Sequence, residues 1–319
     1  MNRKGNTVAE GVAAAGLSGA LYTASLFMPA GIMTALFSPL PLAFYAWRRP
    51  AWTAALFALL AALIPAFFAP IGGASYLVQF GLGGVLLGEA MKRGWRPEYI
   101  IGSYTLLTTA AALVILVVTA NAASLSPADL VDSIAAEWRK AISDALGTGA
   151  GEAPRETLVA LESRLEEVVD FLAHSFFGLT VSINLLTGWL NAAWLRRLVR
   201  ARGAKLDNWL YWKAPDSWIW ALILPALAML FGDGVVKMAG TNILFISVSV
   251  YFLQGLAIIQ FILTEKKTSP LIRIPIYALI VLYVPGAPVA VAVLGAFDMW
   301  LNFRSRIVKP PADRGNENK

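Results

Sequence analysis

Between Arg49 and Glu89 the chain carries no charged residue, and between Glu98 and Asp129 there is none again. Uncharged apolar stretches of that length leave few folds open. About 20 apolar residues in a helix cross a hydrocarbon layer of ~30 Å, and the helix satisfies its own backbone N–H and C=O groups where no water is available to do so. The whole chain is of the same kind, with a mean hydropathy of +0.64, 58% hydrophobic residues and 14% charged, more apolar and less charged than a soluble domain.

Apolar runs fall at about 8–28, 30–47, 51–69, 71–90, 98–120, 168–195, 217–236, 241–263, 271–284 and 287–303. The expected fold class is therefore all-α, a polytopic transmembrane helical bundle of about ten crossings (eight to ten), with an extracytoplasmic helical hairpin between the fifth and sixth. Every second linker is basic. With the N-terminus in the cytoplasm, all Lys and Arg fall inside except Arg139, Lys140, Arg155, Arg164 and Lys237, the positive-inside pattern. That places both termini on the cytoplasmic side of the membrane. Four segments follow: 1–121 with five crossings; 122–170, the acidic hairpin; 171–303 with five more, the last two a short hairpin turning at VPGAP (284–288); and a basic, disordered tail over 304–319. A single broken helix over 271–303 is the alternative for the last pair. It would move Arg304, Arg306, Lys309 and Arg314 to the acidic side, against the charge rule.

In the hairpin, Ser126, Pro127 and Asp129 form a helix start. Leu130, Ile134, Trp138 and Ile142 recur every four residues, and Leu158, Leu161, Leu165, Val168 and Leu172 line a second helix. The stripes are expected to pack on each other. On the inner side, the basic stretch 196–213 and Trp209, Trp212, Trp218 and Trp220 suit the headgroup region. Cysteine is absent, which excludes disulfides and thiolate chemistry. No metal-ligand spacing, phosphate loop or basic and aromatic constellation for nucleic acid is found, so no cofactor, metal or nucleic-acid partner is expected.

Several stretches together, SPLPL (38–42), NLLTGWLN (184–191), WKAPDSWIW (212–220), YFLQGLAIIQFIL (251–263) and GAFDMWLNFR (295–304), resemble the YybS-like family of predicted bacterial inner-membrane proteins, a domain-of-unknown-function group. That family is in turn distantly similar to the substrate-binding subunits of energy-coupling-factor transporters. The resemblance implies a multi-helix membrane protein and brings no substrate or catalytic residue with it.

Polar residues inside apolar runs are costly and so informative. Asn184 and Asn191 share a face of the sixth run, Asn242, Tyr251 and Gln254 lie on the eighth, and Gln79 on the fourth. Their amides either join helices or line an outward-facing polar pocket between the sixth and eighth crossings, where they would offer donors and acceptors to a small molecule. The leading functional expectation is binding or transport of such a molecule. The alternative is a membrane scaffold or envelope-assembly factor. Beyond the bilayer, a protein partner is placed on the basic stretch 196–213 or, as the resemblance to the transporter subunits implies, on the first helix, whose stripe of Gly11, Ala15, Gly19 and Thr23 has packing within the bundle as its default use.

An intramembrane enzyme stands third. Ser18 and His174 are its only motif, resembling the serine and histidine segments of rhomboid proteases, and the spacing fits poorly. The chain is read as not an enzyme, with no catalytic residue. Finally, Asp298 lies deep in the last run. Matching depths across the terminal hairpin sets Arg273 beside it, so the two are expected to form a structural charge pair.

Overall fold

The computed structural model describes residues 3–27, 32–149, 155–203, 209, 212–282 and 286–307. Among these there is no strand, and the protein is an all-α membrane bundle. It forms two compact units, Met1–Leu206 and Asp207–Lys319.

The first unit holds α1 (Arg3–Phe27), α2 (Ile32–Leu36), α3 (Pro39–Arg48), α4 (Ala51–Phe68), α5 (Pro70–Ser75), α6 (Leu82–Lys92), α7 (Pro97–Ala122), α8 (Pro127–Gly149), α9 (Arg155–His174) and α10 (Phe176–Arg200). Proline sets many of the starts: Pro39, Pro70, Pro97 and Pro127 each open a helix, where the missing N–H costs nothing. A π-helical turn, Tyr76–Gly81, joins α5 to α6 in one run of 23 residues. Among the described residues, five helices are long and apolar enough to cross a bilayer: Ala51–Phe68, Pro70–Lys92, Pro97–Ala122, Phe176–Arg200 and Gly234–Glu265.

The second apolar run departs from expectation. It is divided into α2 and the ten-residue α3 by a turn at Phe37 and Ser38, and ten residues of helix span only ~15 Å, half the hydrocarbon layer. The cause lies in Pro39, which brings no N–H to continue the hydrogen-bond ladder, although the backbone of Ser38 before it stays helical (φ −55°, ψ −36°).

Small residues let the helices approach closely. A Cβ on Gly19 of α1 would sit 2.7 Å from the carbonyl oxygen of Ala61 on α4, and one on Gly88 of α6 would sit 2.2 Å from that of Ala43 on α3. Leu42, Tyr45, Ala54, Ala58, Ala61, Tyr76 and Val85 fill the core between them. The stripe on α1 is thus taken up inside its own unit, with Gly11 against the ring of Phe57.

The hairpin is built by α8 and α9. Ser126 and Asp129 close a reciprocal cap, with the Asp129 N–H donating to Ser126 Oγ (3.1 Å) and the Ser126 N–H to Asp129 Oδ2 (3.2 Å). Ser126 holds the Asp129 carboxyl below its ordinary range. Arg139 to Asp170 and Ser143 to Glu162 tie the two helices together. The seam differs from the expected stripes: Ala135 and Val169 are buried, whereas Trp138, Leu161 and Val168 stand exposed.

The second unit holds a 3-10 turn, Asp216–Ile219, then α11 (Trp220–Phe231), α12 (Gly234–Glu265), α13 (Pro270–Leu282), α14 (Gly286–Leu301) and α15 (Phe303–Ile307). Gly255 on α12 and Gly295 on α14 face each other so closely that a Cβ on either would lie 2.0 Å from a carbonyl oxygen of the other helix. Ile219, Tyr251, Ala292 and Ala296 pack beside this crossing. Residues 271–301 hold two helices, and Val284 and Pro285 of the VPGAP turn lie outside the described residues. The tail begins as the short helix α15; the expected disorder over 308–319 concerns residues outside those described. In the stretch 196–213, the first five residues belong to α10, and much of the rest lies outside the described residues.

Candidate functional site

At one end of the first unit the charges gather. Glu10 on α1 meets Arg48 (3.2 Å) and Arg49 (3.0 Å) at the end of α3. Beside them Glu89 pairs with Lys92 (3.4 Å) and Arg93 (2.8 Å), and Lys92 also donates to the Arg49 carbonyl (3.3 Å). The cations of this cluster outnumber its acids, as expected where helix ends meet the headgroup region.

From this cluster a groove of about 460 Å³ runs between α1, α3 and the end of α10, within the size range of ligand sites, ~300–1,000 Å³. Ala13, Ala14 and Leu17 form one wall, Leu40, Pro41 and Phe44 another, and Leu198 a third; Glu10, Arg48 and Arg202 stand at its mouth. The ring of Phe44 carries two guanidinium groups, Arg202 at 4.5 Å and Arg48 at 5.9 Å from its centroid. Cation–π contacts of this kind hold an arginine in place while leaving most of its donors free. Arg202 donates one N–H to the Leu198 carbonyl (3.3 Å), and the Tyr45 hydroxyl, on the same wall, is turned to the Thr7 carbonyl (3.4 Å).

The residues that the sequence offered as a pocket fall into two sets. Asn184, Asn191 and Gln79 belong to the first unit, and Asn242, Tyr251 and Gln254 to the second. Asn184 Nδ2 donates to Thr109 Oγ1 (3.2 Å), joining α10 to α7. Asn191, fully buried, donates to the Leu36 carbonyl (2.6 Å) and to that of Thr187 (2.8 Å). Gln254, 1% exposed, accepts the Ala214 N–H (3.0 Å). Asn242 donates to Met238 on its own helix (2.8 Å), Tyr251 is a core residue, and Gln79 is half-buried on the π-helical turn. Asn184 and Asn191 join helices, Gln254 holds the chain at Ala214, and none of the six residues lines the groove.

Ser18 Oγ donates to the Ser38 carbonyl (2.5 Å) and lies 2.6 Å from the Tyr76 hydroxyl, in a buried knot joining α1, the start of α3 and the π-helical turn. His174 is exposed, its Nδ1 2.7 Å from the Asp170 carbonyl. Each member of the serine and histidine motif thus has local partners of its own. Among the described residues no group of three or more His, Asp and Glu could hold a metal ion.

The charge pair is also differently made. Asp298, 2% exposed, lies 3.9 Å from Arg304, and its Oδ1 accepts the Phe303 N–H (2.9 Å). Arg273 instead donates to the carbonyls of Leu263 (3.0 Å), in the last turn of α12, and Thr268 (2.9 Å), just beyond it. The reason is Asn302, whose left-handed backbone (φ 42°) ends α14 and folds the chain back on Asp298.

Phe44 was not singled out from the sequence, and Leu198 and Arg202 entered only as part of the basic stretch 196–213. The one local signal was Phe44 four residues before Arg48, a spacing that stacks the two on one helix face.

A family model described as a predicted membrane protein, DUF2232, matches residues 17–299. No curated protein and no solved structure matches the chain.

Proposed function

We propose, for a chain that belongs to the predicted membrane protein family DUF2232, a role in binding a small amphiphilic molecule in the groove between α1, α3 and α10. One observation carries the reading: an apolar groove of about 460 Å³ with charged side chains confined to one end. Binding is the step common to a receptor and a carrier, and the reading assigns no catalytic residue. The protein sits in the bacterial inner membrane with about ten crossings and with both termini and the groove's charged mouth at the cytoplasmic face. The basic linkers support that orientation. The hairpin is then extracytoplasmic, since α7, 26 residues long, carries the chain ~39 Å from the basic end.

The experiment is native mass spectrometry of the full chain released gently from membranes. An amphiphile copurifies with the wild type and is lost in Ala14→Trp, which fills the groove. Equal retention in both would overturn the reading.

A second reading, a scaffold acting through protein partners, is favoured by the hairpin, where Trp138 is 54% exposed and Phe171 47%. Exposed aromatic residues beside acidic ones suit a protein interface. A stoichiometric partner that copurifies with the wild type and is lost in Trp138→Ser supports it; an unchanged complement of proteins counts against it.

A further inference from the structure

We infer that the groove takes an anionic phospholipid, its phosphate held by Arg202 and Arg48 and an acyl chain lying along α1 from Glu10 toward Leu17. The inference rests on the reading of the groove as an amphiphile site and names the ligand class.

The walls decide what can lie in the groove. Apart from Tyr45, whose hydroxyl is turned to the Thr7 carbonyl, they are alanine, leucine, proline and phenylalanine, alongside the eight residues of α1 from Glu10 to Leu17, ~10 Å of helix. A peptide strand laid there would bring backbone N–H and C=O groups that find no partner, which is costly in so apolar a place. A hydrocarbon chain brings none. The occupant is therefore apolar along its length.

The mouth decides the headgroup. Arg202 stacks on Phe44 at 4.5 Å and uses one N–H on Leu198. It has no acid within ion-pair distance among the described residues. Arg48 shares the same ring and gives one N–H to Glu10. A guanidinium has five donors in a fixed fork that matches phosphate oxygens, so most of the ten donors at the mouth stay available. Glu10 offsets only one of its two arginine partners, Arg48 and Arg49, so with Arg202 the mouth keeps a net positive charge. A phosphate diester without a compensating ammonium complements it better than a zwitterionic headgroup does.

The test reconstitutes the full chain in nanodiscs containing phosphatidylglycerol and phosphatidylcholine with identical acyl chains, and reads the lipid that stays bound on release into the mass spectrometer. Wild type retains phosphatidylglycerol in preference. Arg202→Gln loses that preference roughly tenfold while still retaining lipid, Arg202→Lys keeps most of it, and Glu10→Gln, which releases Arg48, raises it. Bound lipid with the same headgroup ratio in wild type and Arg202→Gln overturns the inference and leaves the groove reading standing. Absence of any bound lipid displaced by Ala14→Trp overturns both.

Discussion

Replacing Asp298 by Asn removes a charge and keeps a hydrogen bond, because the amide oxygen can still accept the Phe303 N–H that Oδ1 accepts at 2.9 Å. What changes is the field on Arg304, 8% exposed, with its Nη2 3.9 Å from Asp298 Oδ2. Two unit charges about 4 Å apart attract by ~4 kcal/mol at an effective dielectric near 20. Stranding one member of a buried pair costs ~3–5 kcal/mol, because the survivor has been desolvated without return. Asp298→Asn should therefore lower unfolding free energy by ~3 kcal/mol, and Arg304→Met by a similar or smaller amount. The double variant should recover ~2 kcal/mol of their sum, since no stranded charge is left. Arg273→Met loses two charge-assisted hydrogen bonds to carbonyls in the last turn of α12 and just beyond it, ~1.5–3 kcal/mol each, and should add to Asp298→Asn without coupling. The assay is a double-mutant cycle from SDS titrations of detergent-solubilised protein, followed by circular dichroism. Additivity of Asp298 with Arg304 to within ~0.5 kcal/mol, or coupling of Asp298 with Arg273 instead, would refute the reasoning.

Three further expectations follow from separate parts of the structure. Gly88→Leu forces a side chain into a contact where even Cβ would lie 2.2 Å from the Ala43 carbonyl oxygen, and should destabilise the first unit by at least ~1–3 kcal/mol, visible in the same SDS titration; a neutral result would contradict the α3 and α6 packing. The Asp129 carboxyl, held below its ordinary pKa of 3.8 by Ser126, favours the cap above that value and loses it as pH falls through the lower folded value. Hydrogen-exchange protection at the first turn of α8, relative to the intrinsic rate at each pH, should therefore fall below about pH 4, and Asp129→Ala should show low protection at all pH; wild-type protection that does not change with pH would count against the cap. For topology, a cysteine at Gly286 should react with an impermeant thiol reagent from outside the cell and one at Ser305 should not; external labelling at Ser305 would overturn the assigned orientation.

The helical bundle was legible because its determinants are local: uncharged runs near 20 residues, and prolines at 39, 70, 97 and 127 that start helices wherever they stand. The division of the second run was written in Ser38–Pro39, a proline signal outweighed by the length of the apolar stretch around it. The partner of Asp298 was not legible by depth matching, which assumes straight helices on both sides of a turn. One left-handed residue, Asn302, turns the chain back so that a neighbour six residues on in sequence reaches the acid before any residue of α13. The amides were visible as costly polar groups, but whether an amide binds a ligand or a carbonyl depends on which backbone lies opposite it, as with Asn191 and Leu36, 155 residues apart. The groove was hidden for the same reason, since its walls come from three helices whose residues, taken singly, are ordinary alanines and leucines.

The central claim is that the groove between α1, α3 and α10 is an amphiphile site. A cryo-EM map of the full chain in lipid nanodiscs tests it most directly. The account predicts elongated density lying against Leu17, Phe44 and Leu198 with its head at Arg202 and Arg48; a groove closed by the protein's own side chains, or density whose polar end lies away from both arginines, would contradict it.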